Sequence, residues 1–201
     1  MKATPHAGFA AILLICSWPA MAQSTWSIDP AHSAAQFQVK HLMISNVRGE
    51  FGKMSGTISF DGKNISSVKA DAAIDVASIN TREKKRDDHL RSADFFDAAT
   101  YPTITFKSKR VEGVRGNSFN LVGDLTMRGV TREITLEVEA TPIIKGMGGE
   151  SRIGAQATVK LNRQDYGIKW SRALDAGGVV VSDEVYITLD LELMQGAKPK
   201  P

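Results

Sequence analysis

Residues 119–140 read FNLVGDLTMRGVTREITLEVEA, and this stretch decides the fold. Phe119, Leu121, Gly123, Leu125 and Met127 recur at a period of two against Asn120, Asp124 and Thr126, which is the repeat of a strand with one buried face. Arg128-Gly129 supplies a turn, and Ile134, Leu136, Val138 and Ala140 then alternate with Glu133, Thr135, Glu137 and Glu139. The glutamate face must stay in water, so the opposite, apolar face of this hairpin needs a cover.

The same period extends outward along nearly the whole chain. Upstream, Ala35, Phe37, Val39 and His41 share one face, and Met54, Gly56, Ile58 and Phe60 share another that ends at an Asp61-Gly62 turn. Val68, Ala70, Ala72, Ile74 and Val76 form a third, and Ile104, Phe106 and Ser108 a shorter fourth. Downstream of a Gly146-Met147-Gly148-Gly149 turn come Ile153, Ala155, Ala157, Val159 and Leu161, then Val185, Ile187, Leu189, Leu191 and Leu193. These faces predict eight amphipathic strands. Residues 81–96, TREKKRDDHLRSADFF, break the period and are rich in helix formers. They predict one helical stretch between the third and fourth strands, ended near Tyr101-Pro102, where proline restores an extended chain.

Eight strands with one apolar face each need a shared interior, and a sheet closed on itself supplies it while removing exposed edges. The expected fold is all-β, an eight-stranded antiparallel barrel. A barrel of that size is either filled by its side chains or holds one small ligand. Its inward register mixes Gly56, Ala70, Ala72, Gly123, Ala155 and Ala157 with Phe37, Phe60, Phe106 and Phe119. Two readings stay open: a partly empty, greasy interior, or small residues that only accommodate strong coiling of the sheet.

Composition narrows the function classes. The 25 Lys+Arg and 22 Asp+Glu are interspersed rather than gathered into a basic stripe, so no nucleic-acid partner is expected. Residues 1–22 read as a cleavable signal peptide: Lys2, an apolar core over 8–18, and Ala20-Met21-Ala22 before the cut. The single cysteine, Cys16, lies inside it, and bulky Ile15 stands where a lipoprotein site wants a small residue. The exported chain, 23–201, is therefore expected to be a cysteine-free single domain, periplasmic or secreted, with no Pro-rich or Ser-rich linker and no further apolar run that spans a membrane as a helix.

More specific patterns sit between and within the strands. The chain carries Trp26-x-Ile28-Asp29, His32-Ser33-x-x-x-Phe37-x-Val39-x-His41, Ile79-Asn80-Thr81 and Arg86-Asp87-x-His89-Leu90. It continues with Ser92-x-Asp94-Phe95-Phe96-Asp97, Tyr101-Pro102-x-Ile104-x-Phe106 and Gly123-Asp124-Leu125-Thr126-x-x-Gly129-Val130-Thr131. Arg163-x-Asp165-Tyr166-Gly167-Ile168-x-Trp170 and Ser182-Asp183-Glu184-Val185 complete the set. In these motifs and their order the sequence resembles the YceI-like family, exported lipocalin-like proteins associated with binding polyisoprenoid lipids. The resemblance implies a lipocalin-like barrel around a long isoprenoid, an isoprenoid quinone or a similar amphiphile as ligand. It implies no further cofactor, no catalytic residue and no metal.

An apolar chain needs area rather than hydrogen bonds, so the wall residues expected to bind it are the inward ones. Phe37, Val39, Phe60, Ile104, Phe106 and Phe119 are candidates, as are Leu121, Leu125, Ile187 and Leu189. Tyr166, Ile168 and Trp170 are candidates for the mouth, and Phe95-Phe96 for a gate. His41, on the apolar register, is either a head-group ligand or a core histidine bonded to backbone. For each apolar residue ordinary core packing is the alternative.

The charged residues offer less. Arg86, Asp87, His89 and Asp94 have helix-compatible spacing, but neighbouring helical residues point in different directions, and Asp87 with Arg91 reads as an i,i+4 ion pair. His32 and Ser33, adjacent on a strand, face opposite sides, and no Gly-x-Ser-x-Gly elbow is present. The expectation is thus a non-catalytic lipid carrier. The alternatives are a surface interaction module with a filled core, an enzyme using His41 or His89 as base, and an outer-membrane barrel. Against the last stand the 7% aromatic content, the glutamate face and the polar tail 195–201. A homodimer is left open.

Overall fold

The computed structural model describes residues 24–173, 177 and 179–195. The proposed signal peptide, with Cys16, and all but the first residue of the polar tail lie outside the described residues. Strands β1 (Ser24–Ile28), β2 (Ala34–His41), β3 (Ser45–Phe51), β4 (Met54–Phe60), β5 (Lys69–Asp75) and β6 (Ile79–Asn80) precede helix α1 (Lys84–Arg91). After it run β7 (Thr103–Arg115), β8 (Ser118–Met127), β9 (Val130–Ala140), β10 (Ile144–Lys145), β11 (Ser151–Asn162) and β12 (Glu184–Gln195).

Antiparallel pairing runs β1-β4-β5-β7-β8-β9-β11-β12 and returns from β12 to β1, so the sheet closes. The remaining strands extend this ring. Along β12, Leu193 faces Ile28 and Asp190 faces Ala34, which makes β2 the continuation of β1 after a break. β3 pairs with β2 and leads through Gly52-Lys53 into β4, and β6 pairs with β3 beyond the end of β5. The result is a closed eight-stranded antiparallel barrel in which three strands are each interrupted once. All eight sequence-derived faces lie on it. The stretches 24–28 and 45–51 escaped the sequence reading because β1 offers only Trp26 and Ile28, and β3 places Gly49 at an inward position.

The break between β1 and β2 is held by a polar junction. Asp29, 6% exposed, accepts the Ala31 N–H and lies 2.9 Å from His32 Nδ1. Arg152 donates to Asp29 at 3.1 Å, to Glu150 at 2.7 Å and to Glu192. Ser33 Oγ accepts the Glu192 N–H that the interrupted ladder leaves free. A buried carboxylate is tolerable only with such partners, and here they fasten β1, β11 and β12 together.

α1 is shorter than the expected 81–96. Glu83 caps it by accepting the N–H groups of Lys85 and Arg86, and the chain after Ser92 folds into turns in which Phe95 N–H bonds to Ser92 O and Phe96 N–H to Leu90 O. The expected Asp87–Arg91 ion pair does not form. Asp87, 7% exposed, turns back to accept the backbone N–H and hydroxyl of Thr81 at 2.8 and 2.5 Å. Arg91 instead pairs with Asp88 and donates to the carbonyls of Ala77 and Ile79, tying α1 to the barrel end.

Two outcomes follow for stability. Asp87→Ala strands two buried donors of Thr81, and urea titration is expected to show a loss of about 1–3 kcal/mol. At the junction, the shared bond holds Asp29 below the ordinary 3.8 and His32 above the ordinary 6.5. The carboxylate's stabilisation is complete above pH 3.8 and fades as pH falls through its lowered pKa; the imidazole's is complete below pH 6.5 and fades as pH rises through its raised pKa. The gap in melting temperature between wild type and His32→Gln should therefore be widest between these two ordinary values and close at alkaline pH. A gap independent of pH would count against the pair.

Candidate functional site

The barrel is not filled. A continuous cavity of about 560 Å³ runs between its two rims, bordered by inward side chains of every barrel strand. Many of these, Phe37, Val39, Phe60, Phe106, Ile187 and Leu189 among them, are only half-buried although they point inward, because they face the void rather than one another. The two readings of the small inward residues divide by residue type. A Cβ at Gly123 would come within 2.6 Å of the Phe106 ring, and one at Gly49 within 2.4 Å of Phe37, so these glycines are occupied by neighbouring rings. Ala70, Ala72 and Ala155 border the void and widen it.

At the α1 rim the lining turns polar and aromatic. Thr81, Arg86 and His89 reach it together with Leu90, Phe95 and Phe96. Arg86 is oriented by Thr81, donating to its hydroxyl at 2.7 Å and to its carbonyl at 2.8 Å. His89 lies 2.9 Å from Asp94 and stands edge-on to Phe95 and Trp170, with centroids 4.9 and 5.3 Å away. Phe96 meets Phe51 edge-to-face at 5.7 Å, and Phe51 in turn meets Phe37 at 5.8 Å. The opposite rim is made by Gly62, Lys63 and Ile65 on one side and by Asn117, Thr141, Pro142 and Ile143 on the other.

Fifteen of the sixteen residues proposed from sequence border this cavity, His41, Ile168 and Trp170 included; Tyr166 does not. β9 and β11 pair only between Glu137–Ala140 and Ala155–Thr158 and diverge toward the α1 rim. The short helical turn Arg163–Tyr166 wedges the Tyr166 ring into that split, against the core rather than at a mouth. Burial pushes its phenol up to about 12, and the hydroxyl has no partner there. His41 is half-buried, forms a backbone bridge with Val181 and keeps its imidazole toward the cavity.

Sequence reasoning missed Trp26, Ile28, Met54 and Ile58 as wall residues. The Trp26-x-Ile28 alternation was the available signal. Trp26 is 1% exposed and its indole N–H is unpartnered. It also missed Arg163, 5% exposed, whose guanidinium donates to the carbonyls of Ile168, Trp170 and Ser182 and to Asp183. Burial lowers its pKa, and the four contacts fasten residues 168–170 and 182–183 to the end of β11.

The site is mainly apolar area, with Thr81, Arg86 and the His89–Asp94 pair at one rim. Asp29, His32 and Glu192 bring three ligand-type atoms within 4.8 Å of one another, but the Arg152 guanidinium already donates to both carboxylates there. Among the described residues, the histidines at the cavity have neither a serine nor a threonine hydroxyl as hydrogen-bond partner.

Comparison with known proteins agrees with this architecture. A UPF0312 protein of Staphylococcus aureus strain N315 is 39% identical over 163 residues, 81% of this chain and 92% of that one. BcnA of Burkholderia cenocepacia superposes with a TM-score of 0.70 at 28% identity, covering 82% of this chain and 98% of its own. A polyisoprenoid binding domain from Saccharophagus degradans, implicated in plant cell wall breakdown, shares the fold with a TM-score of 0.66 at 21% identity, covering 85% of this chain and 98% of that one. Residues 26–193, which include every strand of the closed barrel except the outermost residues of β1 and β12, match the YceI-like domain, and the chain belongs to that family.

Proposed function

We propose that this protein is a non-catalytic carrier that holds a long apolar amphiphile, an isoprenoid lipid or isoprenoid quinone, inside its barrel in the periplasm. The observation that carries the reading is the cavity: about 560 Å³, continuous, walled by aliphatic and aromatic side chains, with polar groups confined mainly to the rims. This lies within the size range of small-molecule sites. Each methylene moved from water into such a lining contributes about 0.8 kcal/mol, so affinity grows with tail length and needs few directed contacts. Residues at the rims, His41 and Arg86 on one side and Lys63 and Asn117 on the other, suit the single polar end of such a molecule. An isoprenoid is what the family resemblance implies, and the leader read at residues 1–22 would send the chain to the periplasm. The filled-core module is disfavoured by the void itself.

Native mass spectrometry of protein purified from its own periplasm, followed by organic extraction, should find a stoichiometric isoprenoid or quinone. Protein that is empty and takes up no added polyprenol would overturn the reading. Ala155→Phe places a ring in the void from a half-buried position, and uptake of polyprenol is expected to fall about tenfold or more with the fold intact by circular dichroism. Phe96→Ala removes one ring between α1 and the cavity, and loaded cargo should dissociate several-fold faster into acceptor vesicles; unchanged release from a stable variant would mean that Phe96 only docks the turn.

A further inference from the structure

Large apolar side chains exposed to water call for an explanation when they cluster at an opening. Ile143, Ile144 and Met147 are 43, 60 and 109% exposed, and all lie in the connection between β9 and β11. That connection forms part of the rim opposite α1. Ile143 is both exposed and part of the cavity lining, next to Pro142 and Thr141, so at this point apolar surface links the interior to the outside. The two sides of the rim meet here, since a Cβ on Gly62 would lie 3.8 Å from Ile143 Cδ1.

Around this rim exposed basic side chains outnumber carboxylates without a basic partner. Lys63, Lys69, Arg115 and Lys145 are exposed. Of the carboxylates, Glu150 is paired with Arg152 and Glu112 with Arg110, while Asp61, which accepts the backbone N–H groups of Lys63 and Asn64, and exposed Glu139 keep their charge. Apolar tips surrounded by basic residues are the arrangement that inserts shallowly into an anionic lipid surface. A second exposed apolar spot, Met43 and Ile44, 53 and 80% exposed, does not border the cavity.

We infer that the 141–150 connection docks the barrel on an anionic lipid bilayer, with Ile143, Ile144 and Met147 inserted between head groups, so that the cavity opens directly onto the lipid from which cargo enters or into which it leaves. This inference rests on the carrier reading, and the test separates the two. Wild type, Ile144→Asp/Met147→Asp and Ile44→Asp are sedimented with vesicles of equimolar phosphatidylcholine and phosphatidylglycerol that contain no polyprenol, and each is loaded in parallel with polyprenol from a detergent dispersion. Wild type and Ile44→Asp should pellet with the vesicles. The double variant should partition about tenfold less, and raised salt should weaken wild-type binding. All three should take up polyprenol equally from detergent. Wild type that stays in the supernatant, a double variant that pellets like wild type, or loss of binding in Ile44→Asp would each overturn the docking face. Failure of wild type to load from detergent would instead overturn the carrier reading, whatever the vesicles show.

Discussion

Closure of the sheet is the constraint on which everything else depends. Once β12 pairs with both β11 and β1, the ring has a circumference set by eight strands, and the interior is as wide as that circumference demands rather than as wide as the side chains need. Large inward residues cannot close the gap. Phe37 and Phe106 lean over Gly49 and Gly123, filling the notches that glycine leaves in the wall, and so withdraw from the centre. Alanines at 70, 72 and 155 add further room. The cavity is thus a consequence of geometry and residue size together, and a lining with few hydrogen-bonding groups selects an apolar occupant over water.

The interruptions in three of the strands show how the ring is kept closed where its ladder fails. At the β1–β2 break the missing backbone partners are replaced by Ser33 and by the Asp29, His32, Arg152 and Glu192 network. At the β5–β6 break Asp75 caps a short helical turn by accepting the Ala77 N–H, and Ser78 O receives the Gly52 N–H from the neighbouring strand. Beyond that break, Asp87 and Thr81 lock α1 across one rim. Polar side chains therefore hold the barrel's weak points, while the wall itself stays mainly apolar.

Much of this was legible along the chain because a strand's period of two survives in the sequence wherever one face is buried. The eight faces, the helical interruption between the third and fourth strands and the turns at Asp61-Gly62 and Arg128-Gly129 could be read directly, and in the second turn both residues adopt positive φ, 51° and 72°. What escaped were short or glycine-interrupted strands such as β1 and β3, whose pairing partners lie far away in sequence. Within the segment of α1, residues were legible as types but not as partners: Asp87 chose the buried hydroxyl of Thr81 over the half-buried Arg91, since a buried donor without a bond costs more than an ion pair near the surface returns.

By itself the sequence determined an all-β barrel with an inward register of mixed large and small residues, and it identified most of the wall, because both properties depend on local alternation and residue size. Only the tertiary structure decided that the interior is hollow, that Tyr166 plugs the split between β9 and β11 instead of lining a mouth, and that Ile143 joins the cavity to an exposed apolar rim. Those facts depend on how far apart two strands stand after the ring has closed, a distance that no stretch of residues encodes on its own.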